Sequence, residues 1–400
     1  MRFRGLIFAL VSVFVVLAGT GFAHRKWNDR IDHPNVGERY EFRTRLPNNS
    51  QDLFIVLAFS RGGTRAAAFS YGVPQSFRDT TINVEGKQRR LLDEVDVITS
   101  VSGGSYTAAY YGLFGDRMFK DFTREFLYRD WQRELVGLAT RPRSLVASGS
   151  FNRSELVAAY LDRTLFQHAT FAQISRNGRP LVIINASDIN NATMFSFIQQ
   201  QFDFLCSDLS AYPVANAVMA SSAAPGPFAS IALCNYDDCC ERHCSWVADE
   251  LSHDDFLARR RAVALALDRY SHPDRMPTLG LVDGGVTDDL GVCGSIMSPV
   301  AHYDDVSDMA GALTPTQLHR VRNVLVIVAN AQVYAESSWS LRGREPSLIG
   351  MLQASFDSAL GILNPETVSL ATGLPDVGGL LNDRRVGRMT IERAADFRCG

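Results

Sequence analysis

Apolar runs of five to eight residues, spaced along the chain, constrain the fold more than any other feature of this sequence. They are LFIVLAF at Leu53–Phe59, VDVIT at Val95–Thr99, PLVIIN at Pro180–Asn185 and NVLVIVAN at Asn323–Asn330. Runs with so little alternation between apolar and polar residues are typical of strands that are buried on both faces. The chain is therefore expected to build a sheet that is covered by other elements on both sides.

Predicted helices separate these strands, and a shorter strand is predicted at Thr278–Val282. The helices are expected at Ala66–Phe77, Gly103–Tyr111 and Tyr212–Ala224, and at helical spacings of Arg, Phe and Leu within residues 116–175. Pro74 is expected to kink or end the first of them. Strands that alternate with helices predict an α/β fold, with a mainly parallel sheet sandwiched by helices in a single main domain over residues 51–335.

The N-terminal residues predict export. Arg2 and Arg4 precede the uncharged apolar run Leu6–Ala23, and Gly21 and Ala23 are small, as a signal peptidase requires. The run is also long enough to span a bilayer if it is retained. Residues 1–23 are thus predicted to be a signal peptide or a membrane anchor, residues 24–50 a linker, and the protein exported or anchored through residues 6–23.

Five of the seven cysteines fall within residues 206–244. The seven are Cys206, Cys234, Cys239, Cys240, Cys244, Cys293 and Cys399. The spacing C-x4-C-C-x3-C, with His243 inside it, leaves a zinc site open, but disulfides are the expectation for an exported chain. No metal or cofactor is therefore predicted, and residues 234–275 are interpreted as a Cys-rich excursion from the domain. The net charge of −3 gives no support to nucleic-acid binding.

The end of the second strand reads ITSVSGGSY, which places Ser102 between a buried strand and a predicted helix. Ser100 stands two residues before it and Gly104 two residues after it. Small residues at these positions allow the sharp turn that exposes a nucleophilic serine. A plain turn would have the same composition, so this pattern alone does not establish catalysis.

Two further strand ends carry residues that a nucleophilic serine needs. Gly62 and Gly63 follow the first strand and begin a helix, so their backbone N–H groups can bind an oxyanion. Asp283 follows Thr278–Val282 and precedes Gly284, where it can act as a base. Each pattern by itself is also compatible with an ordinary turn. Together they are expected to lie in three strand-end loops of one parallel sheet.

The blocks SRGGTRAAAFSYGV, ITSVSGGSYTAAYYG and LVDGGVTDDLGV resemble the patatin-like phospholipases, in the same order. VANAVMASSAAPGPF and INASDINNATMFSF resemble two further segments of that family, and the resemblance covers roughly residues 52–335. It implies a lipid acyl hydrolase that acts at a membrane surface on phospholipids or lysophospholipids. Ser102 would be the nucleophile and Asp283 the base of a dyad without histidine. The backbone of Gly62, Gly63 and Thr64 would hold the oxyanion, and Arg65 would steady that loop or draw anionic headgroups.

The sequence departs from the family pattern at three positions. Arg61 stands where the glycine run usually begins, Ala66 replaces a glycine after Arg65, and Ser100 replaces the first glycine of the serine turn. Because Gly62, Gly63 and Arg65 are retained, these changes are interpreted as variation within the family. Asp288 and Asp289 follow Asp283 closely, and they either add like-charge effects or face solvent.

Two other functions remain open at this point. An esterase with a Ser-His-Asp triad is compatible with the chain order, because His302 and His319 follow Asp283. A non-catalytic envelope protein that binds lipid could use the same scaffold. Residues 336–400 are predicted to be a mostly helical part that packs on the domain. Within it, the apolar stretch Leu348–Leu363 is predicted to pack on the sheet or to form a lid or interfacial helix.

Overall fold

The computed structural model of the 400-residue chain describes residues 28–31, 40, 49–50, 52–139, 152–178, 180–225, 228–237, 245–252, 259–292, 322–332 and 390–393, with a few single positions between 343 and 358. Residues 1–23, His302, His319, most of Leu348–Leu363 and the cysteines at positions 239, 240, 244, 293 and 399 lie outside this part. Among the helices so described, none combines the length and apolar character that a membrane crossing requires.

The described strands form one mixed, mostly parallel sheet of eight strands and a separate hairpin. Their bounds are β1 Leu53–Phe59, β2 Thr81–Val84, β3 Lys87–Arg90, β4 Val95–Val101, β5 Leu181–Asp188, β6 Thr193–Ser196, β7 Ile231–Cys234, β8 Thr278–Val282, β9 Asn323–Asn330 and β10 Thr390–Arg393. The pairing path of the sheet is β10-β9-β1-β4-β5-β8-β7, β6 pairs with β5, and β2 and β3 form the hairpin. Every residue of β4 and β5 is buried, as expected for central strands that are covered on both faces.

Helices flank the sheet. Their bounds are α1 Gly63–Asp79, α2 Gly103–Phe114, α3 Met118–Phe122, α4 Trp131–Ala139, α5 Arg153–Thr164, α6 Phe171–Asn177, α7 Gln199–Phe204, α8 Val214–Ser221, α9 Ser245–Ser252 and α10 Arg259–Tyr270. The predicted α/β fold with a mostly parallel sheet in a single domain is confirmed. Helices α9 and α10 lie between β7 and β8 in the chain, within the predicted Cys-rich excursion.

One local prediction was wrong: strand β8 pairs with β5 in the antiparallel direction, so its terminal loop does not belong to a parallel edge. Helix α1 does not end at Pro74 but continues to Asp79, and burial of Tyr71, Pro74 and Phe77 offsets the loss of the backbone hydrogen bond that proline cannot make. The described part of the region 336–400 includes the strand β10, which pairs with β9 in parallel. That this region is mostly helical stays a prediction.

Described positions of the predicted linker, residues 24–50, contact the domain. The Tyr40 hydroxyl donates to the carbonyl oxygen of Val182 at 2.7 Å and is itself buried. The Asn28 side chain forms two hydrogen bonds with the backbone of Cys234, each of 2.8 Å. These contacts join the chain before β1 to the central strand β5 and the edge strand β7.

Candidate active site

Ser102 lies in a sharp turn between β4 and α2. Its backbone adopts φ 51° and ψ −119°, a conformation that is rare for any residue other than glycine. The two residues that follow must be glycine. A Cβ on Gly103 would lie 2.1 Å from the carbonyl oxygen of Gly63, and one on Gly104 would lie 2.7 Å from the carbonyl oxygen of Phe59. The turn therefore has the geometry of a nucleophile elbow.

The Ser102 hydroxyl donates a hydrogen bond to Asp283. Its Oγ lies 2.8 Å from Oδ2 of Asp283, and both residues are only 7% exposed. The backbone N–H of Gly285 donates to the other carboxylate oxygen, Oδ1, at 2.9 Å. Because each oxygen of Asp283 has its own donor, the carboxylate is oriented with Oδ2 toward the serine.

The two residues meet through the pairing of β4, β8 and β6 with β5. β4 and β6 both pair with Asn185, so they lie on opposite edges of β5. β6 and β8 both pair with Ser187, so β8 lies on the same edge as β4. β4 ends at the level of Asn185 and β8 at the level of Ser187, so the next residue of each strand reaches the level of Ala186. These residues are Ser102 and Asp283.

The space between the two strand ends admits only a small residue after Asp283. A Cβ on Gly284 would lie 2.4 Å from the carbonyl oxygen of Asn185. The carbonyl oxygen of Gly284 accepts a hydrogen bond of 3.1 Å from the Ser187 hydroxyl. Gly284 thus fixes the loop of Asp283 on β5.

Burial raises the pKa of Asp283 above its ordinary value of 3.8. The Gly285 N–H, the Ser102 hydroxyl and the positive charge of Arg61 act in the opposite direction, but desolvation is the largest effect. A carboxylate with a raised pKa is a stronger base, so the environment of Asp283 suits the removal of a proton from Ser102.

The loop of Gly62, Gly63 and Thr64 lies beside the elbow. Gly62 and Gly63 adopt φ values of 142° and 62°, and α1 begins at Gly63 without a side-chain cap. The first N–H groups of a helix have no partner within the helix, and they carry the positive end of its dipole. Arg65, in the first turn of α1, donates to the carbonyl oxygen of Ala331 at 3.1 Å and so fastens this helix start to the end of β9.

The sequence did not identify Arg61 and Asp289 as a pair. The Arg61 side chain forms an ion pair with the Asp289 carboxylate, and its backbone N–H donates to the carbonyl oxygen of Asp289 at 3.1 Å. Burial raises the pKa of Asp289 to about 6, against the effect of Arg61. The sequence did carry one signal for this pair, which was an arginine at position 61 where the family pattern has glycine. A charged residue at that position requires a partner when it is partly buried.

Ser221, at the end of α8, is a second residue that the sequence did not single out. Its Oγ accepts a hydrogen bond of 2.8 Å from the Ser102 backbone N–H and donates one of 2.6 Å to the carbonyl oxygen of Asn185. Ser100, by contrast, points away from the turn and donates to the carbonyl oxygen of Ile183 at 3.2 Å. The backbone of Ser102 is therefore held by α8 as well as by β4.

The histidines and cysteines that the structure describes do not extend the site. His168 and His272 are exposed, and their ring nitrogens face Asp162 and the carbonyl oxygen of Asp268. Cys206 takes part in a disulfide, as the export prediction favours. Within the described ranges, His, Cys, Asp and Glu side chains form no cluster of three that could hold a metal ion.

The model of one protein family, patatin-like phospholipase, matches residues 57–292, which is more than half of the chain. The matched segment includes the Ser102 elbow, the Gly62 loop and Asp283. The search of curated proteins found no match.

Proposed function

From the premise that this chain belongs to the patatin-like phospholipase family, which indicates lipid acyl hydrolase activity, we propose that Ser102 and Asp283 form a catalytic dyad that works through an acyl-enzyme. The observation that carries the proposal is the 2.8 Å hydrogen bond from the Ser102 hydroxyl to Oδ2 of Asp283, at the end of a buried strand. This contact joins a nucleophile to a base of raised pKa without an intervening histidine.

The first half-reaction transfers the acyl group to the serine. Ser102 Oγ attacks the ester carbonyl carbon while Asp283 Oδ2 takes the hydroxyl proton. The backbone N–H groups of Gly62, Gly63 and Thr64 stabilise the negative charge that develops on the carbonyl oxygen. When the tetrahedral intermediate collapses, Asp283 passes its proton to the departing alcohol and Ser102 keeps the acyl group.

The second half-reaction releases the fatty acid. Asp283 takes a proton from water, and the resulting hydroxide attacks the acyl carbon of the Ser102 ester. The same N–H groups stabilise the second tetrahedral intermediate. As it collapses, the bond to Ser102 Oγ breaks and the proton on Asp283 returns to the serine, so the dyad is regenerated.

Phospholipids and lysophospholipids at a membrane surface are the proposed substrates. This substrate class follows from family membership, and an exported or membrane-anchored enzyme would meet these lipids at a bilayer. Arg65 supports the proposal because its guanidinium lies in the first turn of α1, beside the proposed oxyanion loop, where anionic headgroups would be attracted.

The test is fatty-acid release from mixed phospholipid vesicles by the wild type, Ser102→Ala and Asp283→Asn. Both variants should lose activity by a factor of about 10³ or more, because each removes one of the two residues of the proposed dyad, which act together. Ser154→Ala and Asp96→Asn are matched controls that change a buried hydroxyl and a buried carboxyl elsewhere in the domain, and both should retain activity.

Two results would support other functions. Activity that survives Asp283→Asn but fails in His302→Ala or His319→Ala would support a triad esterase. Vesicle binding without any ester hydrolysis by the wild type would support a lipid-binding protein.

A further inference from the structure

Arg61 and Asp289 connect two loops of the site through side chains and backbone together. Arg61 begins the loop that contains Gly62 and Gly63, and Asp289 lies in the loop that follows Asp283. Their side chains form an ion pair, and the Arg61 N–H also donates to the Asp289 carbonyl oxygen at 3.1 Å. The Asp289 side chain is 1% exposed and that of Arg61 is 24% exposed, so the pair is largely shielded from water.

The Arg61 side chain also covers the residue that orients the catalytic carboxylate. A Cβ on Gly285 would lie 2.4 Å from Cδ of Arg61, and the Gly285 N–H is the donor to Oδ1 of Asp283. The charge of Arg61 acts on Asp283 as well as on Asp289. A Cβ on Gly285 would lie 3.1 Å from Oδ1 of Asp283 and 3.3 Å from Nε of Arg61, so the guanidinium is near the Asp283 carboxyl while it forms its ion pair with Asp289.

Three carboxyls and one guanidinium meet in this corner of the described structure. The third carboxyl is Asp288, whose Oδ1 accepts a hydrogen bond of 3.1 Å from the N–H of Leu290. Burial is the largest cause of the raised pKa of Asp289; Arg61 lowers this pKa, and Asp288 and Asp283 each raise it further. The charge of Arg61 is therefore shared between the catalytic base and a second carboxylate.

We propose that Arg61 and Asp289 are positioning residues of the active site. The pair holds the loop of Gly62 and Gly63 against the loop of Asp283, and it sets the charge next to the catalytic carboxylate. This inference rests on the proposed function, because it gives Asp283 the role of a base. It accounts for an arginine at a position where the family pattern has glycine.

The proposal has a consequence that a purely structural role would not share. Neutralising Arg61 removes a positive charge near Asp283, so Asp283 should be protonated up to a higher pH. Neutralising Asp289 acts only above about pH 6, where this carboxyl is ionised and balances the charge of Arg61. The titration of Asp283 should thus move in Arg61→Gln, and its response to a second ionisation near pH 6 should vanish in Asp289→Asn.

The experiment compares Arg61→Gln and Asp289→Asn with the wild type. The acid limb of kcat/KM for ester hydrolysis should move up by about one pH unit in Arg61→Gln, and a second inflection near pH 6 in the wild type should be absent from Asp289→Asn. Arg89→Gln and Glu94→Gln are matched controls. They break a buried ion pair at the start of β4, whereas Ser102 follows the end of that strand. They should not move the pH profile of kcat/KM. Asp289→Asn keeps the shape of the side chain, so it alone tests the proposal if Arg61→Gln does not fold.

A second readout separates this inference from the proposed function. The titration of Asp283 itself can be followed through its carboxyl carbon in protein labelled with [13Cγ]aspartate, with the signal assigned by Asp283→Asn. An upward shift of this titration in Arg61→Gln, with loss of the inflection near pH 6 in Asp289→Asn, supports the pair even if the wild type hydrolyses no ester, in which case only the proposed function fails. An unchanged titration in either variant overturns the inference.

Discussion

Gly103 lies directly against the backbone of Gly63. A Cβ on Gly103 would be 2.1 Å from the Gly63 carbonyl oxygen and 2.7 Å from its nitrogen. This contact fixes the distance between the proposed nucleophile and the proposed oxyanion donors, because Gly103 follows Ser102 in the chain and Gly63 begins α1. The two loops are therefore packed as one unit, although 40 residues separate them in the sequence.

Gly103→Ala should reduce activity far more than a loss of stability explains. The methyl group must displace the Gly63 loop, so kcat/KM is expected to fall by about 10²-fold. Gly72→Ala is the matched control, since it adds a methyl inside α1 where nothing lies within 4 Å, and it should stabilise the helix by about 1 kcal/mol. Steady-state kinetics and urea unfolding of both variants measure this, and equal activity in the two variants would contradict it.

Ser102→Gly should be more stable than Ser102→Ala. Both variants lack the hydroxyl, but the backbone at position 102 has φ 51° and ψ −119°, which glycine adopts without strain. The expected difference is about 1 kcal/mol in the free energy of unfolding. Urea denaturation of the two inactive variants gives the measurement, and an alanine variant at least as stable as the glycine variant would rule out strain at the elbow.

Ser221→Ala should impair both the elbow and the fold. It removes the acceptor of the Ser102 N–H, and a buried donor without a partner costs about 1–3 kcal/mol. Because the turn then loses its support from α8, kcat should fall by about tenfold or more while KM changes little.

Thr107→Val is the control for Ser221→Ala. It removes a buried hydroxyl from α2 that donates to the Ala67 carbonyl oxygen at 2.8 Å and has no bond to Ser102. It should lower stability without a comparable loss of kcat. Equal effects of the two substitutions on kcat, measured with a soluble ester, would show that Ser221 has no special role.

The stability of the fold should depend on pH through Asp289. Burial raises the pKa of this carboxyl from 3.8 to about 6, so the folded state binds its proton more tightly than the unfolded state. The resulting stabilisation is complete below about pH 4 and is lost as the pH rises through 6.

The wild type should therefore lose up to about 3 kcal/mol relative to Asp289→Asn between pH 4 and pH 7. Urea unfolding of both proteins across this range measures the difference, in which contributions from other groups cancel. A difference that stays constant or grows in favour of the wild type would contradict the assignment.

Local patterns in the sequence determined the elements of the sheet and the residues that lie at their ends. LFIVLAF, PLVIIN and NVLVIVAN are continuous apolar runs, and the observed strands β1, β5 and β9 include nearly all of their residues. β1 and β5 are buried along almost their whole length, whereas β9 is buried only in its last three residues. The turns after them were visible because Gly62, Gly63 and Gly103 provide backbone conformations and close contacts that other residues do not. Ser102 and Asp283 could be singled out for the same reason.

Only the tertiary structure decided how these residues meet. β8 was expected to run parallel to its neighbours, yet it runs antiparallel along the edge of β5 that β4 occupies, and the two strand ends face each other at the level of Ala186. The direction and register of a strand depend on its partners, which lie about 100 residues away in the case of β5 and β8. The pairs Arg61–Asp289 and Ser102–Ser221 depend on the same long-range packing. Nothing in the sequence around either residue of a pair identifies the other.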